Sequence, residues 1–193
     1  MEHKGTKELR TERLLLRRFT PADLEPLFRL MADRAVNTFL PWFPLETEAA
    51  AAGYLQSHYL DYYQRPVGFR WAVCLRETDR PIGYVHVDDG EAHDLGYALA
   101  REAWGHGYAA EAAAAAVNCL RSGGVPFITA THDADNPRSG AVMARIGMTY
   151  RYSYRELWQP KNRWVTFRMY QMELNGPWPD YPGYWNRWPC HWV

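Results

Sequence analysis

Trp104-Gly105-His106-Gly107-Tyr108-Ala109 stands between a short apolar run, residues 94–100, and a stretch over 107–121 that is nearly all alanine. Alanine has the highest helix propensity of any residue, so the stretch reads as a helix, stopped by Gly123-Gly124. Its many alanines blur any amphipathic period, and the assignment rests on propensity. Residues 94–100 read as a strand. The two glycines of the connecting turn let the backbone curl until successive N–H groups converge. The helix N-terminus adds partial positive charge, and together they hold an anion such as a diphosphate without a lysine. Short glycine loops are common, however, and a plain strand-to-helix turn has the same composition. On its own the segment leaves both readings open.

Toward the N-terminus, residues 14–19 form a short apolar run edged by arginines and read as a first strand. Thr20-Pro21-Ala22-Asp23 opens a helix, with Thr20 as N-cap and Pro21 at the first helical position. Leu24, Leu27, Phe28 and Met31 follow at helical spacing. Residues 37–45 hold two prolines with Phe39, Trp42 and Phe43 and read as a loop, and a second helix is expected over 48–63. Strands over 70–76 and 81–88 are joined by the polar turn Glu77-Thr78-Asp79-Arg80, and Asp89-Gly90-Glu91 leads into 94–100. Toward the C-terminus come a strand (127–131), a short helix (137–146) closed by Gly147, and a hairpin (148–157 with 163–174). This order gives an α/β fold. Its central strand-helix-strand unit implies one parallel pair in a mostly antiparallel sheet.

The 193 residues suit one domain, expected over 1–174, with a tail over 175–193 of different character. Twenty-two basic residues balance 22 acidic ones without a basic run, which disfavours a nucleic-acid partner. Cys74, Cys119 and Cys190 are scattered and far from metal-ligand spacing, as expected of free thiols in a reducing compartment. The charged N-terminus offers no long apolar stretch, so no membrane span is expected and the cytoplasm is the default location.

A second candidate segment is Asp135-Asn136-Pro137-Arg138-Ser139-Gly140. Asn136 suits an N-cap and Pro137 the first helical position, and nothing in them demands catalysis. Asn136 and Ser139 nevertheless present two hydrogen-bonding groups at the C-terminal end of a strand, where α/β sheets tend to place ligands.

With these motifs in order, the sequence resembles the GNAT acetyltransferase superfamily, in particular the branch of ribosomal-protein N-terminal acetyltransferases. The match runs from Glu8 to about Leu174 through Pro81-Ile82-Gly83, Leu95-Gly96-Tyr97, residues 104–112, Asn136 with Ser139, and Ile146-Gly147-Met148. The resemblance implies a mixed, mostly antiparallel sheet flanked by helices. It also implies acetyl-CoA as cosubstrate and direct transfer to a primary amine in a ternary complex. It assigns the CoA diphosphate to the backbone of Trp104, Gly105, His106, Gly107, Tyr108 and Ala109. Strand 95–99 would splay from its neighbour, with a backbone N–H there, taken as that of Leu99, bonding the thioester oxygen as negative charge develops. Asn136 would hold the pantetheine arm. The tyrosine that many members carry seven residues after this Asn is Met143 here, so Ser139 becomes the expected general acid.

Asp94 is the expected base for the incoming amine, with His86, His93 and His132 as rivals. Asp88, Asp89, Glu91 and Asp94 form an acidic cluster that either attracts an amine or is a solvated turn. No metal site is expected, because the His and Asp spacings match no ligand pattern. The acceptor, a small-molecule amine or a protein N-terminus, is not legible, since acceptor pockets are built from variable loops. Trp42, Phe43, Tyr62 and Tyr63 either select an apolar acceptor or are core. In the tail, the prolines forbid a regular helix. Trp178, Tyr181, Tyr184, Trp185, Trp188 and Trp192 are too apolar for a disordered segment. The tail is expected to lie against its own domain or a second subunit, which suggests a homodimer. A non-catalytic acyl-CoA-binding protein on the same fold is the alternative function.

Overall fold

The computed structural model describes residues 5–193; residues 1–4 of the expected domain lie outside the described residues. Five antiparallel strands form the first sheet: β1 (Leu9–Arg10), β2 (Leu14–Arg17), β3 (Phe69–Leu75), β4 (Pro81–Val87) and β5 (Leu95–Leu99). Between β2 and β3 come α1 (Leu24–Ala32) and α2 (Glu48–Leu55). The second sheet has the order β6-β8-β7-β9, built from β6 (Phe127–Asp133), β7 (Thr149–Trp158), β8 (Arg163–Glu173) and β9 (His191–Trp192). Helix α3 (Tyr108–Ser122) links β5 to β6, α4 (Pro137–Arg145) links β6 to β7, and α5 (Gly183–Arg187) lies in the tail. The expected parallel pairing shrinks to one bridge, Asp94 with Thr129. Beyond it β5 stays with β4 and β6 with β8, so the two sheets part.

Alternation within β3 explains how one sheet is covered on both faces. Trp71 and Val73 pack with the α3 residues Ala113, Ala116, Val117 and Leu120. Ala72 and Cys74 pack with Leu27, Met31 and Leu55 of the other helices. The buried stripe of α3 does have helical spacing, which the alanines around it concealed. Alanine lets that helix sit close against the strands.

Three expectations change. The helix expected over 48–63 is α-helical only to Leu55, then widens into a π turn (Gln56–Leu60) and a 3-10 turn (Tyr62–Gln64). There the Asp61 N–H bonds the Gln56 carbonyl at 2.9 Å, and Arg70 Nη1 takes the His58 carbonyl at 2.6 Å. A side chain thus occupies an acceptor that the α-helical ladder would use. The first strand ends at Arg17, whose guanidinium grips Asp23 and Asp79 where the chain turns away. The tail does contain a short helix, α5. It fits between Pro182 and Pro189, because proline is tolerated before a first helical turn and after the last.

The tail packs on the second sheet of its own chain. Strand β9 pairs with β7, and Tyr184, Trp185 and Trp188 pack on Tyr152, Tyr154, Phe167 and their neighbours. The fully buried Gln171 gives its Nε2 hydrogen to the Pro179 carbonyl at 2.9 Å and accepts from the Tyr181 N–H at 2.8 Å. Ending the chain at Asn175 therefore bares an aromatic layer and strands a buried amide, at ~1–3 kcal/mol for the amide alone. The melting temperature of such a chain is expected to fall by roughly 10 °C. A change within about 2 °C in calorimetry would show that the layer adds little to stability.

Candidate active site

The parting of β5 from β6 makes the cleft. Bonds from the Asp88 N–H to the Asp94 carbonyl (2.9 Å) and from the Ala100 N–H to the Ile82 carbonyl (2.8 Å) tie the even-numbered positions at both ends of β5 to β4. Antiparallel alternation then turns the N–H and C=O of Leu95, Tyr97 and Leu99 toward the open edge. The Leu99 carbonyl is taken by Trp104 Nε1 at 2.7 Å. A cavity of about 720 Å³ fills the gap and is lined from both sheets.

The glycine turn forms one shoulder of this cavity. Gly105 and Gly107 both have φ of +79°, a conformation that side chains with a Cβ rarely adopt. The first bond of α3 runs from the Glu111 N–H to the Gly107 carbonyl at 3.1 Å. The amides before it have no intrahelical acceptor, and they gather at the positive end of a fifteen-residue helix. The turn is braced from the N-terminal strands. Arg13 Nη1 donates to the His106 carbonyl at 2.9 Å and its Nε to Glu111 at 2.8 Å, while Thr11 donates to the same carboxylate at 2.6 Å. Burial alone would raise the Glu111 pKa, but these donors hold it below the usual range. His106 is exposed; its Nδ1 lies 2.8 Å from the Trp104 carbonyl and its ring stacks on Tyr108. Gly105, Gly107, Tyr108 and Ala109 line the cavity together with Trp104; His106 does not.

Across the gap, Asn136 caps α4 by accepting the Ser139 N–H at 3.4 Å, with Pro137 following it. Both Asn136 and Ser139 line the cavity. Tyr97, for which no chemical role was expected, reaches across from β5. Its hydroxyl donates to the Ser139 carbonyl at 2.8 Å and lies 3.0 Å from Ser139 Oγ. The pair ties strand to helix over 42 residues of chain. Met143, also on the wall, is buried.

Asp94 sits at the vertex, on the single bridge between the sheets. Burial pushes its carboxyl up to about 7, opposed in part by hydrogen bonds from Thr129 and Tyr184, with Asp88 adding to the rise. The other carboxylates of the expected acidic cluster are exposed, and Asp89 pairs with Arg65 at 2.9 Å. His86 also lines the cavity, but burial, with Arg70 and His58 beside it, lowers its pKa to about 4. It is a poor proton acceptor at neutral pH. His132 lines the cavity with its pKa lowered by burial. Its Nδ1 is 2.8 Å from the Asp133 carbonyl and its Nε2 has no hydrogen-bond partner. His93 lies elsewhere, edge-on to Phe127 and beside a separate cavity of about 470 Å³. Of the four aromatic residues before β3 that were candidates for the acceptor side, only Trp42 lines the main cavity. Phe43 is 58% exposed, and Tyr62 and Tyr63 are core. Among the described residues there is no cluster of three or more His, Cys, Asp or Glu side chains able to hold a metal. No helix among them is long and apolar enough to cross a membrane.

The site is thus built where two strands part beside a glycine turn, with a half-buried carboxylate at the vertex. The family profile described as Acetyltransferase (GNAT) domain matches residues 13–149, and the chain belongs to this family of acetyltransferases. The Bacillus subtilis protein named Uncharacterized N-acetyltransferase YoaA is 28% identical over 144 residues, covering 72% of this chain and 81% of that protein. A GNAT-family acetyltransferase structure from Bacillus anthracis superposes with a TM-score of 0.76 at 22% identity, over 86% of this chain and 98% of that one. The ribosomal L7/L12 α-N-protein acetyltransferase RimL, solved in complex with coenzyme A, gives 0.73 at 17% identity, over 89% of this chain and all of that one.

Proposed function

We propose that the protein moves an acetyl group from acetyl-CoA to a primary amine by direct attack within the β5–β6 cleft. The observation that carries the proposal is the open edge of β5 between a positive-φ glycine turn and a carboxylate with a pKa of about 7. Acetyl-CoA supplies the activated acetyl thioester. The amides of residues 105–109 at the start of α3 grip its diphosphate. Asn136 lies on the opposite wall, where it orients the pantetheine arm. The free N–H of Leu99 faces the oxygen on which negative charge develops. Asp94, half ionised near pH 7, takes a proton from the amine as nitrogen bonds to the acetyl carbon. Ser139 gives its hydroxyl proton to the departing sulfur. Tyr97, bonded to both oxygens of Ser139, fixes where that hydroxyl points. A reducing, cytoplasmic setting belongs to this reading and is supported by three cysteines, all free.

Calorimetric titration with acetyl-CoA tests the cofactor half. One-site binding is expected, and Gly107→Val should weaken it by about 100-fold. Valine opposes φ of +79°, and relieving that strain turns the amides of the loop away from a common point. A folded wild-type protein that takes up no acetyl-CoA would end the transferase reading.

A further inference from the structure

The acceptor side of the cavity has a composition that narrows the amine. Trp42, Tyr154, Trp158, Phe167, Tyr184 and Trp188 all line it. Three of these rings are nearly parallel: Tyr184 lies 5.3 Å from Tyr154 at 8°, and Trp188 lies 6.5 Å from Tyr154 at 3°. Phe167 stacks on Tyr154 at 5.4 Å. Tyr154 is buried beneath Tyr184 and Trp188, and these two half-buried rings give the cavity an aromatic wall against which a planar ring packs better than a flexible chain. Asp94 stands beside it and lines the same cavity.

A second carboxylate, Glu156 on β7, lines the same space, and burial raises its pKa. The cation on this side is Arg187, whose guanidinium lies 5.1 Å from the Trp188 ring. An ammonium held by these carboxylates lies beside Arg187, and a polyamine would bring further positive charges toward that guanidinium. Lys161, in the β7–β8 turn, donates to the Asn37 carbonyl at 2.6 Å, and Trp42 Nε1 donates to Asn37 Oδ1 at 3.0 Å, so the loop holding Trp42 is tied to the second sheet.

We propose that the acceptor is a compact monoamine on a flat aromatic skeleton, its ring against the aromatic wall of Tyr184 and Trp188 and its ammonium between Asp94 and Glu156. The proposal rests on the acetyltransferase reading and makes Trp188 and Glu156 specificity-determining residues. An ammonium next to ring faces and carboxylates is favoured by both.

The test measures thiol release from acetyl-CoA by the full chain with tryptamine, hexylamine, spermidine and an alanine-initiated tetrapeptide as probes. Tryptamine is expected to exceed each of the others in kcat/KM by at least about 10-fold, the scale that one pocket contact contributes. Trp188→Ala and the isosteric Glu156→Gln should each raise the tryptamine KM by about 10-fold. Their calorimetric affinity for acetyl-CoA should stay unchanged. Preference for spermidine, hexylamine or the tetrapeptide overturns the proposal. So does an unchanged KM in the Glu156→Gln protein. If acetyl-CoA binds and no probe is acetylated, the acceptor proposal fails while the transferase reading stands. If acetyl-CoA does not bind, the transferase reading itself fails.

Discussion

Asp94→Asn is expected to lower kcat/KM by ~10²–10³-fold and to abolish its rise with pH around 7. In the wild type, the fraction of Asp94 able to accept a proton grows as pH passes its pKa of about 7, so the rate should climb on that limb. Asparagine keeps the shape and the contact with Thr129, but it cannot take a proton at any pH. Stability should move in the opposite direction. The folded-state pKa lies above the ordinary value of 3.8, so the folded protein holds a proton that the unfolded chain has released between roughly pH 4 and 7. Stability carried by that proton is present at low pH and lost as pH rises through 7. Raising a carboxyl from 3.8 to about 7 costs up to roughly 4 kcal/mol, an upper bound because Asp94 lines an open cavity. The Asn variant should therefore melt higher than wild type at pH 8, with the gap closing toward pH 4. An unaltered pH–rate profile would remove Asp94 as the base, and His132, with its unpartnered Nε2, would be the next group to replace.

Much of this fold is legible in the chain because its signals are local. Thr20 and Pro21, Asn136 and Pro137, and the glycines at 123 and 147 punctuate the elements within a few residues of where the structure begins and ends them. Strands β3, β4 and β5 announce themselves by apolar runs between polar turns. What escaped depends on contacts between distant residues. Tyr97 in Leu-Gly-Tyr-Ala-Leu looks like any half-buried strand residue. Its role beside Ser139 exists only because β5 and β6 part after a single bridge, a feature of the whole sheet. Glu156 likewise alternates unremarkably along a hairpin until α5 brings Arg187 and Trp188 to the same wall. The π turn after Leu55 comes with a long-range contact, since Arg70 takes the His58 carbonyl from twelve residues further along the chain. The tail illustrates both sides. Its composition required a surface to lie against, while its helix and its pairing with β7 were set by that surface.

Ser139→Ala should lower kcat by about 100-fold with little change in acetyl-CoA affinity, and two structural details make this separation strict. The cap of α4 uses the Ser139 backbone N–H, which alanine retains, so Asn136 keeps its place. The Tyr97 hydroxyl also keeps its bond to the Ser139 carbonyl, so strand and helix stay tied. What disappears is the hydroxyl proton intended for sulfur. Tyr97→Phe is the partner experiment, because it removes the group that orients Ser139 and leaves the proton in place. Acting through Ser139, it should lower kcat by less, about 10-fold, and the double variant should be little worse than Ser139→Ala alone. Full activity in Ser139→Ala would dismiss it as the acid. A larger loss in Tyr97→Phe would transfer the role to the tyrosine hydroxyl, which burial holds protonated far above neutral pH. Either result is decided by the order of the two effects, since both hydroxyls share one hydrogen bond and only one of them needs to reach the departing thiolate.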